Sequence, residues 1–258
     1  QDNGKLKPML LFIHGFKGFK DWGYFNLMAD FYARQGFVFV KMNFSHNGTT
    51  IDNLQEFADL EAFGNNNFII ELDDIEVMLD HLCSKKFDLY DTVDFDRLFI
   101  KGHSRGGGIA LLKAFEDDRI KAIATLAAVA DIRSIYSEEI IEQWKKDGVH
   151  YIDNTRTHQK MPMYYQIVES TLKNEERLNI PNAVRHLKTP LLITHGTNDE
   201  TLPVTMAQAL HLWNPKAKLY LCDDANHTFG GTHPYEAANL PDDAEKTFRE
   251  IVTFFKGL

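Results

Sequence analysis

Gly102-His103-Ser104-Arg105-Gly106 sets a serine between two glycines in the G-x-S-x-G pattern, and the flanking residues give that pattern its meaning. The β-rich run RLFIKGH leads into it and the helical GGIALLKAF leads out. A serine at such a strand-to-helix turn is held in strained backbone geometry, and the glycines let strand and helix approach without Cβ collisions. Ser104 is therefore expected above the sheet at the positive end of the following helix, its hydroxyl facing a substrate carbonyl. A serine hydroxyl is a weak nucleophile near neutral pH. It needs a base to take its proton and a carboxylate to fix the tautomer of that base.

Eleven histidines compete for the role of base, and position chooses among them. His227, in DANHTF directly after the β-rich AKLYLCD and ahead of the last helical segment, is the expected base. His103 adjoins the nucleophile but is expected to point elsewhere from the turn. His14 and His195 end strands, where histidines more often hydrogen-bond loops. The expected acid is Asp199 in HGTNDETLPV, with Asp131 as the alternative and Glu200 pointing away. A tetrahedral intermediate carries negative charge on the former carbonyl oxygen, which calls for preorganised donors. The glycines of His14-Gly15-Phe16-Lys17-Gly18 let that loop fold back, so the backbone N–H groups of Phe16 and Arg105 are the expected oxyanion hole.

These groups need a scaffold that brings distant stretches together. Six β-rich runs, at 8–14, 37–43, 97–103, 120–127, 190–195 and 217–223, alternate with helical periodicity at 25–35, 69–84, 107–116, 204–212 and 242–255. That alternation predicts a doubly wound, mostly parallel sheet flanked by helices, with ligands at the carboxyl ends of the strands. Residues 132–187 break the rhythm: no strand candidate occurs there, and 138–146 and 161–172 read as helical. The stretch is too long for a simple crossover and too patterned for a disordered loop. The expectation is a core domain of 1–131 and 188–258 with a helical cap insertion at 132–187; the alternative is that these helices brace one sheet edge. Trp144, Tyr151, Met161, Tyr164 and Tyr165 would line an apolar substrate pocket under such a cap, or else glue the cap to the core.

A chain of 258 residues with 44% apolar and 12% aromatic content can bury a large core. A net charge of -9 with no basic cluster argues against a nucleic-acid partner. No apolar run approaches the ~18 residues a bilayer crossing needs, so no membrane role is expected. Cys83 and Cys222 belong to no CxxC or Cys/His cluster, so no metal site is expected. Two thiols fix no compartment, a cytoplasmic one being the working expectation, and the chain is expected to be a monomer or homodimer.

The motifs HGFKG, GHSRGG, HGTNDETLPV and NHTF, in that order over residues 14 to 228, resemble those of α/β-hydrolase fold serine hydrolases. The HGF-type loop, the GHSRGG elbow and the insertion are similar to the feruloyl/cinnamoyl-type carboxylesterases, dienelactone-hydrolase-like proteins and oligopeptidase-like hydrolases. The resemblance implies an eight-stranded sheet, an acyl-enzyme mechanism and no cofactor. About eight residues precede the first strand candidate, so the family's N-terminal antiparallel hairpin is expected to be missing or cut short. The expected substrate is a small-molecule ester with a small or aromatic acyl or alcohol group. A peptidase or acyl-aminoacyl hydrolase would use the same triad but commonly carries an extra domain, which is not expected within these residues. A binding protein that kept the fold without turnover is the third possibility. A dehalogenase is disfavoured because its nucleophile would be Asp at position 104.

Overall fold

The computed structural model describes residues 4–134, 136–154 and 156–258. In chain order, β1 (Lys7–Ile13) leads through α1 (Phe25–Arg34) to β2 (Val38–Lys41), and α2 (Leu60–Asn65) and α3 (Phe68–Leu82) precede β3 (Val93–His103). Next come α4 (Arg105–Glu116), β4 (Ala122–Leu126), α5 (Glu138–Asp147), β5 (Val149–Asn154), β6 (Gln159–Tyr164), α6 (Gln166–Lys173) and α7 (Ile180–His186). The chain closes with β7 (Leu191–Gly196), α8 (Thr205–Trp213), β8 (Lys218–Cys222) and α9 (Asp242–Lys256).

Six strands form one sheet in the order β2-β1-β3-β4-β7-β8, and all its pairings are parallel. β1 shows why its run 9–13 is apolar without interruption. Met9, Leu11 and Ile13 enter one core cluster, with residues of α3, α4, α7 and α8, while Leu10 and Phe12 enter the other, with residues of α1 and α9. A strand alternates its side chains between two faces, and both faces here are covered, so neither set can be polar. α3 reads the same way at helical spacing: Phe68, Leu72, Ile75, Leu79 and Leu82 are buried in one stripe, and the Asn67 side chain caps the N-terminus by accepting from Ile69 N and Ile70 N. Among the described residues the main sheet has six strands, against the eight that the resemblance implied. None of the described helices is long and apolar enough to cross a membrane.

The stretch 132–187 is not purely helical, which corrects the expectation that it holds no strand. β5 and β6 form an antiparallel ribbon in which Tyr151 faces Pro162 and Ile152 faces Met161. The apparent helical run at 161–172 is two elements. Met161, Pro162 and Met163 are buried in succession, a short apolar run paired along β5, and the helix starts only at Gln166. Proline is tolerated there because a two-stranded ribbon is all edge. α7 closes the stretch by packing on α4, where a Cβ added to Gly108 would meet Ile180 Cδ1 at 2.9 Å.

Candidate active site

Ser104 sits between β3 and α4 at φ 55°, ψ -123°, a left-handed conformation that a side chain adopts only under constraint. The constraints are visible around it. Ser104 N donates to Leu126 O (2.8 Å), and its carbonyl accepts from Gly107 N (2.9 Å) and Val129 N (3.2 Å). A Cβ on Gly102 would lie 2.7 Å from Gly107 Cα, so the crossing of strand and helix at the elbow has room only for glycine. β1 ends against the same turn. The Gly15 position lies so close that a Cβ there would be 3.0 Å from Ser104 Cβ, which sets the HGFKG loop directly over the serine. The loop closes on itself through Gly18 N donating to Gly15 O (3.1 Å).

The side chains of the two expected oxyanion-hole residues interact with each other. The Arg105 guanidinium lies 5.1 Å from the Phe16 ring centroid and 4.3 Å from that of Phe68, and the Phe16 ring packs against Phe63 at 5.6 Å. Arg105 is buried, and its charge is met by Glu71: Nε donates to Oε2 (3.1 Å) and Nη2 lies 2.9 Å from Oε1. Burial pushes the Glu71 carboxyl up, opposed by the neighbouring guanidinium and by a hydrogen bond from Asn66. This network escaped the sequence analysis. Its signal was a glutamate at 71, inside the apolar stripe of α3 and four residues before Ile75.

Asp199 lies in the loop after β7 with its side chain fully buried. Oδ1 accepts from Thr201 N and Leu202 N, both at 2.8 Å, while Oδ2 accepts from His227 Nδ1 at 2.8 Å. Burial alone would raise the carboxyl's pKa. Hydrogen bonds from His195, from His227 and from the Leu202 amide outweigh it and hold Asp199 well below the usual carboxylate range. A carboxylate only accepts, so Nδ1 of His227 carries the proton and Nε2 is left with its lone pair free. Asp131 engages Arg133, two residues on, at 3.2 Å.

The loop that carries His227 is fastened on several sides. Asn226 Oδ1 accepts from Thr228 N (3.1 Å) and Gly230 N (2.9 Å), Phe229 is wholly buried, and Tyr24 donates from its hydroxyl to Thr228 O (2.9 Å). His103 is turned toward this loop: its Nε2 donates to His227 O (3.0 Å), with the two rings 4.9 Å apart. Burial, and then the proximity of His227, push the His103 pKa down to about 3. Burial likewise lowers that of His14 to about 4.

The aromatic residues of the 132–187 stretch lie in different settings. Trp144 is buried and donates from its indole to Met163 O (2.7 Å), and Met161 is buried in the main core cluster. Tyr165 packs partly buried against that cluster. The Tyr164 hydroxyl donates to Glu61 of α2 (2.6 Å), and Tyr151 is exposed on the ribbon.

The sequence pattern of the prolyl oligopeptidase family matches residues 23–255. No curated protein is significantly similar in sequence. Among solved structures, the chain is similar to ferulic-acid-bound Est1E from Butyrivibrio proteoclasticus, at 19% identity and TM-score 0.67, covering 98% of this chain and 90% of that one. An esterase domain from a Rhodothermus marinus protein aligns at 19% identity and TM-score 0.62, over 97% and 87% of the two chains. A puromycin-hydrolyzing peptidase of Mycobacterium tuberculosis aligns at 16% identity and TM-score 0.64, over 99% of this chain and 35% of its own. At these identities the likeness is one of fold, the α/β-hydrolase fold expected from the motifs.

Proposed function

The chain belongs to the prolyl oligopeptidase family and is a serine hydrolase of the α/β fold; from that premise we propose that it cleaves carboxylic esters through an acyl-enzyme, with Ser104 as nucleophile, His227 as base and Asp199 as acid. The observation that carries this is the 2.8 Å hydrogen bond from His227 Nδ1 to a buried, fully hydrogen-bonded Asp199. It leaves Nε2 free to accept a proton, on a loop beside the strained elbow of Ser104.

In the proposed cycle His227 Nε2 takes the Ser104 proton as Oγ attacks the ester carbonyl, then returns it to the leaving alcohol oxygen. Water adds to the acyl-enzyme by the same route and releases the acid. Asp199 stays ionised throughout and stabilises the imidazolium. The amides of Phe16 and Arg105 receive the oxyanion. A donor of this kind is commonly worth about 3 kcal/mol in the transition state. The packing of the Gly15 turn against Ser104 supports this placement, and the Arg105 guanidinium under the Phe16 ring stiffens the loop. The acyl group is small or aromatic, a choice favoured by the fold-level likeness to two esterases, one of them holding ferulic acid. Trp144 and Met161 serve this function by anchoring the ribbon and α5 to the core, while Tyr151, Tyr164 and Tyr165 stand nearer the surface.

The test is a comparison of kcat/KM for p-nitrophenyl acetate, methyl ferulate and peptide p-nitroanilides, with labelling by a fluorophosphonate. Esters turning over well ahead of anilides, with Ser104 labelled, is the expected result. Faster anilide cleavage would establish the peptidase alternative, and a folded protein that neither labels nor turns over would establish a binding role.

A further inference from the structure

Asp199 Oδ2 has two imidazoles close to it. Besides His227, His195 Nε2 lies 3.1 Å from it. The same nitrogen is 2.9 Å from Leu202 O. A carboxylate and a carbonyl can only accept, so Nε2 of His195 carries a proton, hydrogen-bonded to Leu202 O with Asp199 Oδ2 close beside it. The ring cannot readily turn away. His195 is completely buried in β7, where it pairs with Leu221 of β8, four residues before the carboxylate it meets. The bond to Leu202 O is the loop contact expected of a histidine at a strand end.

We propose that His195 is a positioning residue for the reaction: its Nε2–H holds Asp199 Oδ2 in the orientation His227 needs and draws off part of the negative charge that His227 would otherwise receive. The proposal rests on the assignment of Ser104, His227 and Asp199 given above. Two donors on one oxygen compete, because each bond lowers the electron density available to the other. With His195 in place, Asp199 is anchored but weakened as a partner for His227. Without it, Asp199 would be looser yet more basic, and the protonated form of His227 would persist to higher pH. The depressed Asp199 pKa, with both imidazoles contributing to it, is in keeping with this division. Titratable groups adjoining the pair include Glu200 beside Asp199, Cys222 and Asp224 across from Gly196 and Thr197, and two residues of β3. His103 donates to His227 O, and Lys101, buried among aromatic rings, has its pKa lowered by desolvation.

The direction of the pH shift separates this role from simple packing. The free-enzyme acid limb of kcat/KM for p-nitrophenyl acetate reports the protonation of His227, which must be neutral to act. For His195→Leu the limb should move upward by about half a pH unit and the plateau kcat should fall about tenfold, the lower end of what losing an orienting partner does. His195→Gln keeps an N–H donor on a side chain of similar reach, so it should bring the limb back to the wild-type position and restore most of the plateau. A residue that merely filled space would lower the plateau in His195→Leu and leave the limb where it was.

An unmoved or downward-shifted limb in His195→Leu overturns the proposal, as does a Gln variant no closer to wild type than the Leu variant. Should the Leu variant fail to fold, ¹⁵N-histidine NMR of the wild-type protein decides: a His195 Nε2 bearing a proton near neutral pH supports the role, and a bare Nε2 overturns it. Asp199→Asn runs alongside. If it keeps the wild-type rate, the triad assignment itself has failed; if it is nearly inactive while the limb of His195→Leu has not moved, only the role of His195 has failed.

Discussion

Replacing Gly196 with alanine should disable the enzyme through a single methyl group that never touches substrate. Gly196 ends β7, pairs with Cys222 of β8, and lies against the start of the loop that carries His227. A Cβ there would stand 2.7 Å from Ala225 C and 3.0 Å from Asn226 O, and would overlap Ala225 O. Ordinary contact begins at 3.4 Å, so the two backbones must part by about 1 Å. They are also stitched together at this point: Thr197 N donates to Cys222 O (3.0 Å), Asn198 N to Ala225 O (3.1 Å), and Asp224 N to Thr197 Oγ1 (2.8 Å). Ala225 and Phe229 are both wholly buried, so the loop cannot slide aside as a unit without pulling on the core. Moving Asn226 moves His227, and the 2.8 Å bond to Asp199 stretches out of range. A misplacement of about 1 Å commonly costs ~10²-fold in rate, and overpacking of this kind costs about 1–3 kcal/mol of stability. The assay is kcat on p-nitrophenyl acetate together with the rate of fluorophosphonate labelling, each per mole of protein shown to be folded by urea titration. Gly148→Ala is the control: it has positive φ at the C-terminus of α5 but no neighbour within 4 Å, so it should cost about 1 kcal/mol and leave kcat per folded molecule unchanged. Gly196→Ala that folds and keeps kcat within about threefold of wild type would refute the reasoning, because the ~10² estimate rests on the displacement of His227.

Three further outcomes are expected. Ser104→Ala should lower kcat by about 10⁵-fold or more without unfolding the protein, and Ser104→Gly, which removes a Cβ from a left-handed backbone, should melt at a higher temperature than the alanine variant; thermal melts and p-nitrophenyl ester assays read both. Asp199→Asn should cost about 10³- to 10⁴-fold in kcat, because its amide would face two ring N–H donors or two backbone ones, whereas Asp131→Asn should cost less than about threefold; the reverse ranking would move the acid role to Asp131. The buried His14 keeps its proton off down to about 4, while in the unfolded chain it titrates near ~6.5. Its contribution is thus complete above ~6.5 and is lost as pH falls toward the folded value, at up to ~1.4 kcal/mol per pH unit, with His103 acting in the same direction. Urea titrations at pH 7 and pH 5 should therefore find a weaker protein at pH 5, and His14→Gln should flatten that dependence by about one proton; an unchanged slope would show that His14 is not what the acid side of the curve reports.

The elbow at Ser104 was readable because its requirements are local. Glycine on both sides of Ser104, a strand before and a helix after are all within about a dozen residues, and the backbone angle of Ser104 follows from them. The six main strands and five of the helices were equally local, set by apolar runs and by three- and four-residue steps. The short apolar run of Met161, Pro162 and Met163 reads as helical in the sequence because an apolar run that short fits either period. α2 ends in Gly64 and Asn65, which weakens the helical pattern, and what holds this helix lies about a hundred residues away in Tyr164.

The candidate site divides along the same line. Residue type and chain order were enough to pair Asp199 with His227, which meet in a 2.8 Å hydrogen bond. That Asp199 accepts from two backbone amides and His227, that a second imidazole at the end of β7 lies close to Oδ2, and that Glu71 meets the charge of Arg105 beside Phe16 depend on side chains that the folded chain brings within 3.2 Å of one another. A sequence states which groups exist and which backbone shapes each short stretch prefers. Which buried donor ends on which acceptor is decided by packing, because a polar group taken out of water must find a partner among whatever the fold has placed around it.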